Sequence, residues 1–227
     1  MARKVFCAVL LTFAFMMIAS ADDFMPLRPG TLREYSFTRT NPASTETAQG
    51  TYSIKSLPSR EFNGIKLIPV QNQNGTLVFY TEKEEGIVFW GHQNADDPQP
   101  VPDERPEIVM PKSHAKNTRW NGSHTTSLLK KRVLIDTVET IEATNETVNV
   151  PAGVFKNCIR IRYIGQKTFD DDSGSILQKK TIVTVEGYEW YALGVGPVKA
   201  IVTETGEGYL PEKEEGKLVV LLTKFSR

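Results

Sequence analysis

Between Val150 and Gly165 the chain reads VPAGVFKNCIRIRYIG, and this stretch limits the fold more than any other. Pro151 presets φ for the first corner of a tight turn and Gly153 closes it. Ile159, Ile161 and Tyr163 then alternate with Arg160 and Arg162. A period of two places the apolar side chains on one face and the guanidinium groups on the other. The segment reads as a half-buried antiparallel strand leaving a hairpin.

The same grammar recurs along the chain. Short β-runs at 32–40, 51–56, 64–70, 76–83 and 86–92 are separated by turn residues, including an Asn-Gly pair at Asn74-Gly75. Spacings of about ten residues are those of an antiparallel meander. Residues 127–143 are rich in the β-branched side chains Val133, Ile135, Thr137, Val138, Thr140 and Ile141, and read as one long strand or two joined by a bend. FDDDSGS (169–175) reads as a polar hairpin tip. Gly194 and Gly196 let the backbone reverse after Trp190-Tyr191, and 217–225 closes the domain.

Residues 95–111 differ in texture. They hold five prolines, which lack the N–H that a ladder needs, and read as an extended surface crossover between two β-rich halves. Halves of about eighty residues would each struggle to bury a core, so one domain is expected. The fold class is all-β and mainly antiparallel: a single curved open sheet, or a half-barrel or sandwich, with a long Pro-rich crossover over 95–111.

The N-terminus carries an address. Arg3 and Lys4 precede an uncharged apolar run from Val5 to Ala19, and Ala19-Ser20-Ala21 supplies small residues at a cleavage position. Residues 1–21 are read as a signal peptide cut before Asp22, leaving a single β domain over 22–227. The apolar run is shorter than the ~20 residues that span a bilayer, and no later stretch is apolar enough to cross one. The expectation is an exported protein, periplasmic or extracellular.

Removing Arg3 and Lys4 from the 27 basic residues leaves 25 against 27 acidic ones, a balance that offers no field for nucleic acid. Cys158 is the one cysteine beyond the leader, so no internal disulfide is available, and its apolar flanks suggest burial.

Little in the sequence points to catalysis. His92, His114 and His124 come without a Gly-x-Ser-x-Gly elbow, and no catalytic residue is assigned. No paired-histidine or paired-cysteine spacing suggests zinc. Asp170, Asp172 and Gly174 give a partial calcium-loop rhythm, but Thr181 stands where the loop needs a bidentate glutamate. Glu142 and Glu146 could serve as a glycosidase pair, as could almost any two acids. No cofactor or metal is expected. Sequons at Asn74, Asn121 and Asn145 would matter in a eukaryotic secretory route and otherwise read as turn residues.

Several stretches together resemble a known family: MPLRPGTLREYSF, EEGIVFWG, the Trp120 segment, VNVPAGVFKNCIRIRY and EWYALGVGPVKAIV. They are similar to the TapB-like family of exported bacterial proteins, a domain of unknown function marked by a VPAGxF turn and a WYAxGVGxVK hairpin. The resemblance covers nearly all of 22–227. It implies an antiparallel β domain, akin to the half-barrels of lipoprotein carriers such as LolA and LolB, and brings no catalytic residue. Leu193 stands where a proline is common, and Leu32 to Tyr35 where many members carry a tryptophan.

The functional expectation is a non-catalytic envelope protein that binds a lipid-like or apolar molecule. Phe89, Trp90, Phe155, Trp190 and Tyr191 are its candidate contacts, although core packing is the simpler reading of each. The alternative is an assembly partner of a surface machine, engaged through a sheet edge or the Pro-rich segment. A hydrolase using the histidines ranks third.

Overall fold

The computed structural model describes residues 23–42, 47–170, 180–207 and 214–227. Among the described residues there are thirteen strands: β1 (Leu32–Thr40), β2 (Thr47–Ser56), β3 (Arg60–Phe62), β4 (Ile65–Asn72), β5 (Leu77–Lys83), β6 (Gly86–Gln93), β7 (Val101–Pro111), β8 (Arg119–Thr125), β9 (Leu134–Val150), β10 (Gly153–Asp170), β11 (Lys180–Ala192), β12 (Gly196–Glu207) and β13 (Glu214–Ser226). All pairings are antiparallel. The order is β7-β6-β5-β4-β2-β1-β13-β12-β11-β10-β9-β8, and β3 pairs β4 off this path. β1 and β13 are adjacent, so the two halves of the chain form one continuous sheet.

The sheet curls until β7 and β8 face each other, a barrel with one unsealed seam. No ladder joins them. The Ser123 N–H of β8 donates to Glu107 Oε2 of β7 at 2.9 Å, and an exposed Arg105–Asp136 pair spans the gap at 2.9 Å.

The Pro-rich crossover is in part a correction. Residues 101–111 form β7, carrying Pro102, Pro106 and Pro111. An edge strand needs partners on one side only, which is where prolines are tolerated. The register jumps from Phe89↔Glu107 to Gly91↔Pro102, so Pro106 lies in a bulge with no β6 partner. Gly91 permits the close approach that follows: a Cβ there would stand 2.1 Å from Val101 O.

The 127–143 stretch is also resolved. Its strand begins at Leu134, while 126–133 form a loop that buries Leu128, Leu129 and Val133. These three pack with Ile135, Tyr163, Val183, Val185 and Val202, plugging one end of the barrel. Gly216 makes room, since a Cβ there would meet Leu128 Cβ at 2.5 Å. Arg39, near the end of β1, donates to Ser127 O and ties the plug to the wall.

The opposite end, where β1 begins, is strapped by residues 23–30. Gly194 N donates to Asp23 O at 2.8 Å, and Phe24 and Met25 pack on Met110, Trp120, Ile141, Ile159, Ile161 and Tyr191. The turn at Pro151 falls where expected. Ile159, Ile161 and Tyr163 are buried, and Arg160 and Arg162 pair outside with Glu146 (2.7 Å) and Glu186 (2.8 Å). Residues 1–21, and most of the 169–175 tip with its calcium-loop rhythm, lie outside the described residues.

Candidate functional site

Residues paired across neighbouring strands share a face of the sheet. Tracing Trp120↔Glu139↔Tyr163↔Gly187 and Ile141↔Ile161↔Glu189↔Ala200 across β8 to β12 shows which residues face inward. Two carboxyl side chains, Glu139 and Glu189, therefore project into the barrel among aromatic and aliphatic neighbours.

They meet a cavity of about 290 Å³ beneath the strap. Its apolar wall includes Met25, Leu27, Ile54 and Val70, and its polar wall includes Arg33, Tyr80, Glu107, Glu139, Glu189 and Tyr191. A shallower cleft of about 480 Å³ lies against the same strap and shares Met25 and Leu27. It lacks the convergence of buried ionisable groups that marks a site.

Arg33 is 2% exposed. Its Nε donates to Val195 O and its Nη2 to Pro26 O, both at 2.6 Å. Gly196 leaves space for it, since a Cβ would stand 3.0 Å from Nε. Burial lowers its pKa, and among the described residues no carboxylate forms an ion pair with it. Arg33 thus staples the strap to the barrel through backbone carbonyls.

The carboxyl groups are under strain of a different kind. Burial, with Glu189 and Glu107 nearby, lifts Glu139 to about 8. Burial also raises Glu189, which accepts the Tyr191 hydroxyl at 2.5 Å. Protein surrounds Glu189 on every side, and the surface it still exposes is that of the cavity. Burial pushes Tyr80 to about 12. Trp120 is 8% exposed and its Nε1 has no hydrogen-bond partner that meets normal geometry, although it lies close enough to Glu139 to favour the ionised carboxylate.

Glu107 is the partition between inside and outside. It lines the cavity and also two seam grooves, of about 490 and 780 Å³. Its bond to the Ser123 N–H is the polar link across the seam at that depth.

The five aromatics singled out from sequence do not assemble into one site. Tyr191 lines the cavity. Phe89 stands edge-on to Tyr80 with centroids 6.4 Å apart and lines the larger seam groove. Trp90 packs edge-on against Phe62 and Phe79 on the other face of the sheet. Trp190 is 9% exposed and belongs to the cluster around Tyr35, Cys158, Val198 and Leu222; its Nε1 donates to Glu146 at 2.5 Å and the Lys199 ammonium lies 4.7 Å from its ring centre. Phe155 packs against the cluster around Tyr35, Cys158, Val198 and Leu222. Alternation explains the split: Trp90 and Trp190 are each one residue out of phase with an inward neighbour.

Arg33, Tyr80, Glu107, Glu139 and Glu189 were not anticipated. A signal existed: Arg33 is in phase with Tyr35, Glu139 with Ile135 and Ile141, and Glu189 with Tyr191. A charged residue on the apolar beat of a strand marks a buried polar group.

The histidines lie apart. His92 lines the larger seam groove, and His114 packs edge-on to Phe24. His124 Nε2 bonds Glu204 Oε1 at 2.8 Å while its ring stacks on Tyr163. Cys158 is 0% exposed, its thiol pushed up to about 11 by burial, and it bonds Phe155 O, the setting of a packed rather than a reactive thiol. No family model, curated protein or solved structure matches the chain.

Proposed function

We propose that this chain is an exported, non-catalytic binding protein that holds a small amphiphilic molecule in the cavity beneath its strap. One observation carries the reading: aliphatic side chains and buried ionisable groups converge on a single space of about 290 Å³, near the lower end of the usual range for ligand pockets. The leader pattern and the resemblance to TapB-like exported proteins support the location. Entry runs past Glu107, which faces both the cavity and the seam grooves. Native mass spectrometry of protein purified from its own host tests the reading. A reproducible co-purified small molecule supports it, and ligand-free protein in every preparation sinks it.

A second reading has its own observation. β7 and β8 each present an unpaired margin to the seam, and a strand from an assembly partner could add there. Val101 and Leu134 are exposed on the rim of that groove. Changing both to lysine would abolish partner capture from envelope extracts if this reading holds; unchanged capture removes it.

A further inference from the structure

We infer that the molecule held beneath the strap is an organic cation, an amine on a short apolar body. This rests on the binding reading above and narrows it to a chemical class.

The first argument is charge. Glu107, Glu139 and Glu189 face the cavity from β7, β9 and β11, and Arg33 is the one basic side chain on its wall. Two of the Arg33 nitrogens are already committed to Val195 O and Pro26 O, which leaves the carboxyl groups in excess. An ammonium group entering here would draw these buried carboxyls into their ionised form and gain their charge, whereas a carboxylate or phosphate headgroup would find most of the Arg33 guanidinium already engaged.

The second argument is an unused phenol. Tyr80 is half-buried, lines the cavity, and forms no hydrogen bond through its hydroxyl among the described residues. A phenol that opens onto the cavity without a protein partner is free to bond a ligand. A hydroxyl oxygen can accept an ammonium N–H, and the rings of Tyr80 and Tyr191 can face the cation. The third is the Trp120 Nε1, buried without a well-formed bond beside Glu139. That donor is available to the Glu139 carboxylate once a bound cation favours its ionised form. Ile54, Val70, Met25 and Leu27 then take the apolar body.

Isothermal titration of the purified protein with n-hexylammonium, 1-hexanol and hexanoate near neutral pH tests the inference. The expected result is saturable binding of hexylammonium, hexanol weaker by more than about tenfold, and hexanoate silent. Glu189→Gln, Glu139→Gln and Tyr80→Phe, each confirmed folded by circular dichroism, should weaken hexylammonium by about tenfold or more. Unchanged hexylammonium binding in all three folded variants overturns the inference. Hexanol equal to hexylammonium, or hexanoate tighter than both, also overturns it while leaving the cavity as a binding site. If none of the three probes binds, the cation inference and the binding reading fall together.

Discussion

At the plugged end Glu204 is fully buried and completely satisfied. It accepts from His124 and from the Ser127 and Leu128 N–H groups, at 2.8 to 3.0 Å. At the strapped end Glu139 and Glu189 are enclosed beside each other, and among the described residues Tyr191 is the one strong donor that answers them. Burial works against the charged form of all three. At Glu204 the bonds from His124 and the backbone outweigh it, and the pKa falls. At Glu139 nothing outweighs it, and the pKa rises. The same side chain is a structural rivet where its lone pairs are filled and a binding group where they are left open.

The largest test of that contrast is Glu204→Ala. It strands two backbone N–H groups and releases the plug, and urea denaturation should show a loss on the order of 3 kcal/mol. Glu189→Gln, at the other end, should cost under about 1 kcal/mol or even stabilise, since it removes a carboxyl whose ionisation burial opposes. Equal losses would erase the distinction. Next, Gly216→Ala drives a methyl into Leu128 and should lower stability by about 1–3 kcal/mol through overpacking of the plug. A neutral result would mean the plug is loosely seated.

The pH response should have opposite signs at the two ends. Glu204 has a lowered pKa, so its contribution is present above the ordinary carboxylate range and is lost as pH falls through its folded value. Glu139 is raised from 4.5 to about 8, so its contribution is full below 4.5 and is lost as pH rises through about 8. Denaturation midpoints across this range should show Glu139→Gln flattening the alkaline side and leaving the acid side unchanged. The smallest effect belongs to the seam: Asp136→Asn, breaking an exposed pair with Arg105, should change stability by less than about 0.5 kcal/mol.

Strand content was legible because alternation and turn residues are local signals. The VPAG turn and the Ile159, Ile161, Tyr163 face follow from a few neighbouring residues. Closure of the sheet was not legible. It depends on β1 meeting β13 across nearly the whole chain, and no short window records such a contact. β7 was read as a crossover because proline is scored against ladders in general, whereas an edge strand with a bulge needs few of its N–H groups. The site was misplaced for a related reason. Large aromatics draw attention as buried area, yet Trp90 and Trp190 lie on the opposite face from Tyr80 and Tyr191. The informative residues were the charges on the inward beat, Arg33, Glu139 and Glu189.

The prolines of β7 have a consequence beyond the single molecule. A wide sheet that stops at a bare margin is a template on which the next copy can grow, and fibres begin that way. Here that margin is kinked at Pro106, stripped of amide hydrogens at three positions and flanked by Asp103, Glu104 and Arg105. Concentrated solutions should stay clear on long storage, and exchanging Pro102 and Pro106 for valine should make them cloud.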